Sequence, residues 1–220
     1  MPAFQTMSAH VNFRREFEPT EGLRSRKKAR TRTSIEEVAL ALFAEQGFEA
    51  TTVEQISERA EISTTTFFRY FPSKADVVLC NQNAQLPLLH AAILERPADE
   101  NELVVVRRAI QQVWVPAIDP DRTLRTSGAV GASATLRGLY DEMTRDWTRA
   151  IAVALAARRG LDAVDERSTI VARVVIGIFG ATVEGWLVGR CREHLSDALQ
   201  RNFDMVIQLA GSGAQAAGAN

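Results

Sequence analysis

An all-α fold is expected for this chain, with a three-helix N-terminal head carrying a helix-turn-helix, followed by a larger helical body. Three observations carry that expectation. No run shows the two-residue alternation of a half-buried strand. Apolar residues recur instead at helical spacing, as in Ile35, Val38, Ala39, Leu42 and Phe43. Breaks at Pro97, Pro116, Pro120, Gly131 and Gly160 then divide the rest into helix-length segments. With 220 residues, 46% of them hydrophobic and 24% charged, the chain has the composition of an ordinary soluble protein with a sizeable core.

Residues 1–22 show no period and mix charges with Pro19 and Gly22, so a disordered arm is expected there. The first helix is expected over 25–46, ended by Gly47 where a left-handed residue is wanted. Residues 52–74, TTVEQISERAEISTTTFFRYFPSK, then read as two short helices meeting at a turn. In the first, Val53, Ile56 and Ala60 share a face, and Thr52 caps the free N–H groups. In the second, Ser63 is the N-cap and Ile62 can staple onto Phe67. That helix turns Thr64, Thr65, Phe68 and Arg69 outward and offers Phe67, Tyr70 and Phe71 for packing. Hydroxyls and an arginine on a short, aromatically braced helix suit a major groove, which presents base edges and phosphates to be hydrogen-bonded.

The formal net charge of -1 does not by itself point to nucleic acid. A local patch acts within about 10 Å at moderate salt. Arg24, Arg26, Lys27, Lys28, Arg30 and Arg32, with no acid among them, form such a patch just before the motif.

Beyond the motif, Ser73 and Asp76 begin a helix over 74–94 that Pro87 should kink or split. Further helices are expected at 100–115, 121–130, 135–159, 165–190 and 196–209, with 211–220 a frayed tail. Residues 169–189 are apolar enough to raise the membrane question, but Arg173 and Glu184 lie inside them, and a buried helix is expected. Cys80 and Cys191 are no disulfide framework and fit a reducing cytoplasm. The N-terminal stretch lacks the pattern of a signal peptide.

The ending Arg69-Tyr70-Phe71-Pro72-Ser73-Lys74 resembles that of the helix-turn-helix in the TetR family of bacterial transcriptional regulators, and the likeness covers about 26–76. The resemblance implies a DNA-binding domain over 23–73, with its motif at about 53–72, and an effector-binding and dimerisation domain over 74–210. It also implies a cytoplasmic homodimer, a repressor on a palindromic double-stranded operator, released by a small and often apolar effector whose identity the residues do not give. Thr52, Lys74, Arg26, Lys27 and Lys28 are assigned to phosphates, and Thr64, Thr65, Phe68 and Arg69 to the groove. Thr66 and Tyr70 match positions that touch DNA in the family and can serve either role. Two departures stand out. Glu61 occupies the turn where the family commonly has glycine, and Thr65 adds a hydroxyl where glycine or proline is frequent.

Gly177, Ala181, Gly185 and Gly189 recur every fourth residue, making a nearly bare ridge that another helix can approach closely. The partner helix belongs either to the same subunit or, as the resemblance favours, to a second one in a four-helix dimer interface. Among the large aromatics of the body, Trp114, Trp147, Phe179 and Trp186, the first three are the candidates for lining an effector site, the alternative being plain core. The rhythm of 146–159 and of Val183-Glu184-Gly185-Trp186-Leu187 is similar to regulators that sense acyl-CoA-like ligands. A cationic ligand would need a buried acid, and Glu184 and Glu142 are the candidates.

No catalytic, metal or cofactor site is expected. Ser25 and Lys28 have the S-x-x-K spacing of some acylating enzymes but sit in the basic patch without its companion motifs. Cys191 and His194 share a helix face, yet His10 and His90 supply no matching ligand pair. The rival reading is a helical ligand-binding or catalytic protein whose DNA binding is secondary or lost, distinguished by the absence of salt-dependent, sequence-selective DNA binding.

Overall fold

The computed structural model describes residues 19–79 and 85–217. The first eighteen residues of the expected arm, Cys80 and the last three of the expected tail lie outside that range. Every element among the described residues is helical.

The first helix, α1, spans Pro19–Gln46 and so begins earlier than expected, with proline in the first turn, where its missing N–H is no loss. Residues 19–22, expected in the arm, are therefore helical. Its far end is as expected: Gly47 has φ 88° and donates its N–H to the Phe43 carbonyl at 3.0 Å. Helix α2 (Val53–Arg59) carries a complete capping box, in which Thr52 Oγ1 accepts from the Gln55 N–H at 3.2 Å and Gln55 Oε1 accepts from the Thr52 N–H at 2.9 Å. The turn to α3 (Thr64–Tyr70) is a Schellman motif, because the Ile62 N–H reaches the Ser57 carbonyl and the Glu61 N–H the Glu58 carbonyl. Ser63 caps α3 by accepting from the Thr66 N–H at 3.1 Å. Packing of Ile35, Ala39 and Phe43 from α1 on Ile56, Phe67 and Phe71 makes the head core.

After a four-residue helix, α4 (Asp76–Leu79), the body comprises α5 (Leu86–Leu94), α6 (Glu102–Val113), α7 (Pro120–Ala132), α8 (Ala134–Arg158), α9 (Glu166–Val188) and α10 (Leu195–Ala217). Its core joins Ile93, Val106, Ile110, Ile151, Leu155 and Phe203. Asn101, Asp119, Ser133 and Asp165 cap four of these helices through side-chain oxygens. The Ser168 hydrogen bonds, helped by Arg159, hold the Asp165 carboxyl down at about 2.

Of the two outcomes expected of Pro87, a kink or a split, the described residues fit the split: α4 ends at Leu79 and α5 begins at Leu86, with Pro87 in its first turn. Pro116 and Pro120 separate α6 from α7 as expected, the first in a short 3-10 turn, Val115–Ala117, and the second as the first residue of α7. Other expectations are corrected. Gly131 does not break α7, whose exposed glycines are tolerated at roughly 1 kcal/mol each until Ser133 ends one helix and caps the next. The last helix continues to Ala217, so fraying from residue 211 is not observed. Helix α9 is only half buried. Ala172, Val175, Ile176, Phe179 and Trp186 face the core, whereas Ile170, Val174, Gly177, Ala181, Gly185 and Val188 are exposed. Its apolar composition, sufficient in length to cross a membrane, comes partly from small residues that present little surface to bury.

The expected strain at the motif turn is present, with Glu61 at φ 56°. An L-residue in that region costs on the order of 1 kcal/mol. Glu61→Gly is predicted to raise the thermal midpoint by up to about 2 °C; an unchanged or lower midpoint would contradict the strain.

Candidate nucleic-acid interface

Helix α3 is positioned by what it buries. Phe67 and Phe71 are completely inaccessible, with ring centroids 5.7 Å apart, so the opposite side of the helix must face solvent. Phe68, edge-on to Phe67 at 5.5 Å, is 53% exposed, which is far from a core position and leaves its apolar face available. Thr65 and Arg69 are also exposed, and the Arg69 guanidinium lies 5.4 Å from the Tyr70 ring centre. Thr64, Thr66 and Tyr70 are half-buried at the edges of this face. Thr66 also shares a 3.0 Å hydroxyl hydrogen bond with Ser63. Thr52 is exposed at the start of α2. One side of the head thus brings together hydroxyls, a guanidinium and an exposed aromatic ring.

The basic patch divides. Arg24, Arg26, Lys27, Lys28 and Arg30 are exposed along the first half of α1. The sixteen residues before Ile35, the first core residue, extend that helix by about 24 Å. Arg32, by contrast, turns inward. Its Nη1 donates to the Tyr70 carbonyl at 3.1 Å, its guanidinium lies 4.3 Å from the Phe71 ring centre, and its Nε pairs with Glu36 at 3.2 Å.

Lys74 requires a correction as well. Its ammonium donates to the carbonyls of Phe48 and Thr51 at 2.7 Å each and of Glu49 at 3.3 Å, above the Phe48 ring. All three protons of the ammonium are therefore engaged inside the head, and Lys74 braces the turn between α1 and α2 instead of meeting a phosphate.

In the body, Trp114, Trp147 and Phe179 do come together. Trp114 lies 5.0 Å from Trp147 and 5.2 Å from Phe179, and Tyr140 flanks Trp147 at 6.3 Å. All three candidates are buried within the body core, and the Trp114 Nε1 there has no hydrogen-bond partner. Open clefts lie elsewhere: one of about 440 Å³ along α10 beside Gln200, Arg201 and Asp204, another of about 360 Å³ beside Glu102, Arg159 and Arg167. Glu184 and Glu142 are exposed, which removes them as buried partners for a cationic ligand. Gly177, Ala181 and Gly185 form an exposed ridge, and a Cβ added at Gly177 or Gly185 would meet nothing within 4 Å. Gly189 is not on that ridge within the helix; it is the C-cap that follows Val188.

Residues 35–79 match the family of bacterial regulatory proteins described as tetR, and residues 100–209 match the MftR C-terminal domain. The HTH-type transcriptional regulator TcmR of Streptomyces glaucescens is 34% identical over 167 residues, covering 73% of each chain. The chain belongs to the TetR family. It is a DNA-binding transcriptional regulator, and the exposed side of α3 belongs to that family's helix-turn-helix. The HTH-type transcriptional repressor KstR of Rhodococcus jostii is a further relative, 24% identical over 198 residues and matched over 89% of this chain and 90% of its own. Among solved structures, Thermus thermophilus FadR in complex with lauroyl-CoA shares the fold with a TM-score of 0.51 at 23% identity, over 80% of this chain and 93% of that one. The SmeT–triclosan complex does so with a TM-score of 0.54 at 22% identity, over 81% and 90%.

The TetR-family residues that sequence reasoning missed or misplaced are those directed inward. Arg32 and Glu36 stand one helical turn apart, a signal visible in the sequence, but their partner Arg122 lies on α7. Lys74→Met is predicted to destabilise the head by about 2 kcal/mol, because it removes charge-assisted hydrogen bonds from the turn carbonyls. A thermal melt checks this. An unchanged midpoint with weakened DNA binding would return Lys74 to a phosphate-contacting role.

Proposed function

We propose that this TetR-family regulator is a ligand-responsive repressor that binds a palindromic operator as a homodimer in the cytoplasm. Each protomer lays α3 in a major groove, where Thr64, Thr65, Phe68 and Arg69 meet base edges and thymine methyls. Thr52 and the Arg26, Lys27 and Lys28 stretch of α1 meet phosphates, and Thr66 and Tyr70 serve groove or backbone. The observation that carries this reading is the division of α3 into one wholly buried face, Phe67 and Phe71, and one open face, Phe68 and Arg69.

The exposed ridge of Gly177, Ala181 and Gly185, flanked by Ile170, Val174 and Val188, supports a dimer built on α9. Small residues there let two backbones approach closely, and a two-fold pair of heads matches a palindrome. The effector is a small apolar molecule, acyl-CoA-like compounds being the leading class. Support for it comes from the fold shared with FadR, solved with lauroyl-CoA, and SmeT, solved with triclosan; Trp114, Trp147 and Phe179, packed together in the body core, are the residues it would part on entering. An effector of this kind releases the operator only by binding one arrangement of the heads more tightly than the other, typically by about 1–3 kcal/mol.

The test mixes the purified protein with fragmented DNA of the genome that encodes it, at two salt concentrations, beside an Arg69→Ala, Phe68→Ala variant. Retention of distinct fragments is expected, falling steeply with salt, and weakened by about tenfold or more in the variant. Uniform retention of all fragments that the variant keeps would contradict the reading.

A further inference from the structure

Among the described residues, polar contacts fasten the head to the body near each end of α7. Near its start, Arg122 Nε meets Glu36 of α1 at 3.2 Å while its Nη2 donates to the Val77 carbonyl at 3.2 Å. Glu36 is only 7% exposed and is paired with both Arg122 and Arg32. Arg32 in turn holds the Tyr70 carbonyl at the C-terminal end of the recognition helix. At the other end of α7, Ser133 is 1% exposed. Its hydroxyl donates to Glu49 Oε1 at 2.6 Å while accepting from the Leu136 N–H at 3.1 Å. Glu49 sits in the turn that Lys74 braces, and the Ser133 hydrogen bond holds its carboxyl below the usual range.

Between the two fastenings, Ala129 of α7 and, just past the second, Leu136 of α8 are buried in the head core. Helix α8 then runs on into the body core through Met143, Trp147, Ile151 and Leu155. The head therefore rests on a continuous helix whose near end belongs to one core and whose far end belongs to the other. Two carboxylates of the head, Glu36 and Glu49, meet two groups that bracket α7, and a contact at each end resists rotation where a single contact would act as a pivot.

We propose that Arg122 and Ser133 are positioning residues that fix the angle of the head on α8, and that they thereby set the half-site spacing the dimer accepts. The proposal rests on the two-headed operator reading above. Inserting one base pair between half-sites displaces one of them by about 3.4 Å and turns it by about a tenth of a helical turn. A head held at both ends of α7 cannot follow that movement, whereas a head freed at one end can swing toward it.

The experiment measures binding of the full-length chain and of the Arg122→Gln, Ser133→Ala and Arg122→Lys variants to three duplexes. These are the palindromic operator selected by the wild-type protein, the same operator with one base pair inserted at its centre, and a single half-site. Wild type is expected to discriminate against the insertion by about a hundredfold. Arg122→Gln and Ser133→Ala are expected to bring that ratio below about tenfold while leaving single half-site binding within about twofold of wild type. Arg122→Lys, which keeps the charge, is expected to fall between. Because each variant is compared with itself on two duplexes, a lowered folded fraction leaves the ratio unmoved. Thermal melts establish that at least one variant is folded at the assay temperature, Ser133→Ala being the smaller change. Unchanged discrimination in a folded variant overturns the proposal and leaves the operator reading standing. Failure of the wild type itself to select any palindrome overturns both.

Discussion

A helix as short as α3, seven residues, cannot hold its shape in water, and everything else in the head follows from that constraint. Its stability is borrowed. Phe67 and Phe71 are buried without remainder, Ser63 caps the N-terminal end, and Arg32 holds the last turn by its Tyr70 carbonyl. Each fully buried phenylalanine contributes about 1.5–3 kcal/mol, a large share of the roughly 5–15 kcal/mol by which domains are stable. The exposed side chains of α3, Thr65, Phe68 and Arg69, carry little of the folding.

The same economy organises the body. Helix α8 is shared between two cores, with Leu136 in the head and Ile151 and Leu155 in the body, so a change among the body aromatics has a rigid element through which to act on the head. Trp147, in the aromatic group, lies on this helix. Helix α9 has two unlike faces: one packs on the core through Val175 and Phe179, and the other, with Gly177, Ala181 and Gly185, is bare and exposed.

Much of this was legible from residue types alone, where the physics is local. Thr52 and Ser63 cap because their hydroxyls reach back three residues, and Gly47 and Glu61 adopt left-handed backbone because the helix termini demand it. The family's motif and the half-apolar stripe of α1 are equally local. What sequence alone misassigned depends on direction or distance. Arg32 belongs to a basic run and Lys74 to the family's motif ending, both of which suggest phosphate contacts, yet each donates to backbone carbonyls of the head. The pairing of Arg122 with Glu36 spans eighty-six residues and leaves no periodic trace. Gly131 shows a different limit: a residue that can end a helix can also lie within one, and the cap beside it decides.

Two heads reading one operator is the claim on which the function rests, and selection of bound duplexes from a random DNA pool by the full-length protein tests it most directly. The result expected is enrichment of an inverted repeat whose half-site centres lie about one helical turn, or a small multiple of it, apart. Enrichment of a motif without two-fold symmetry, or no enrichment at low salt, would contradict it.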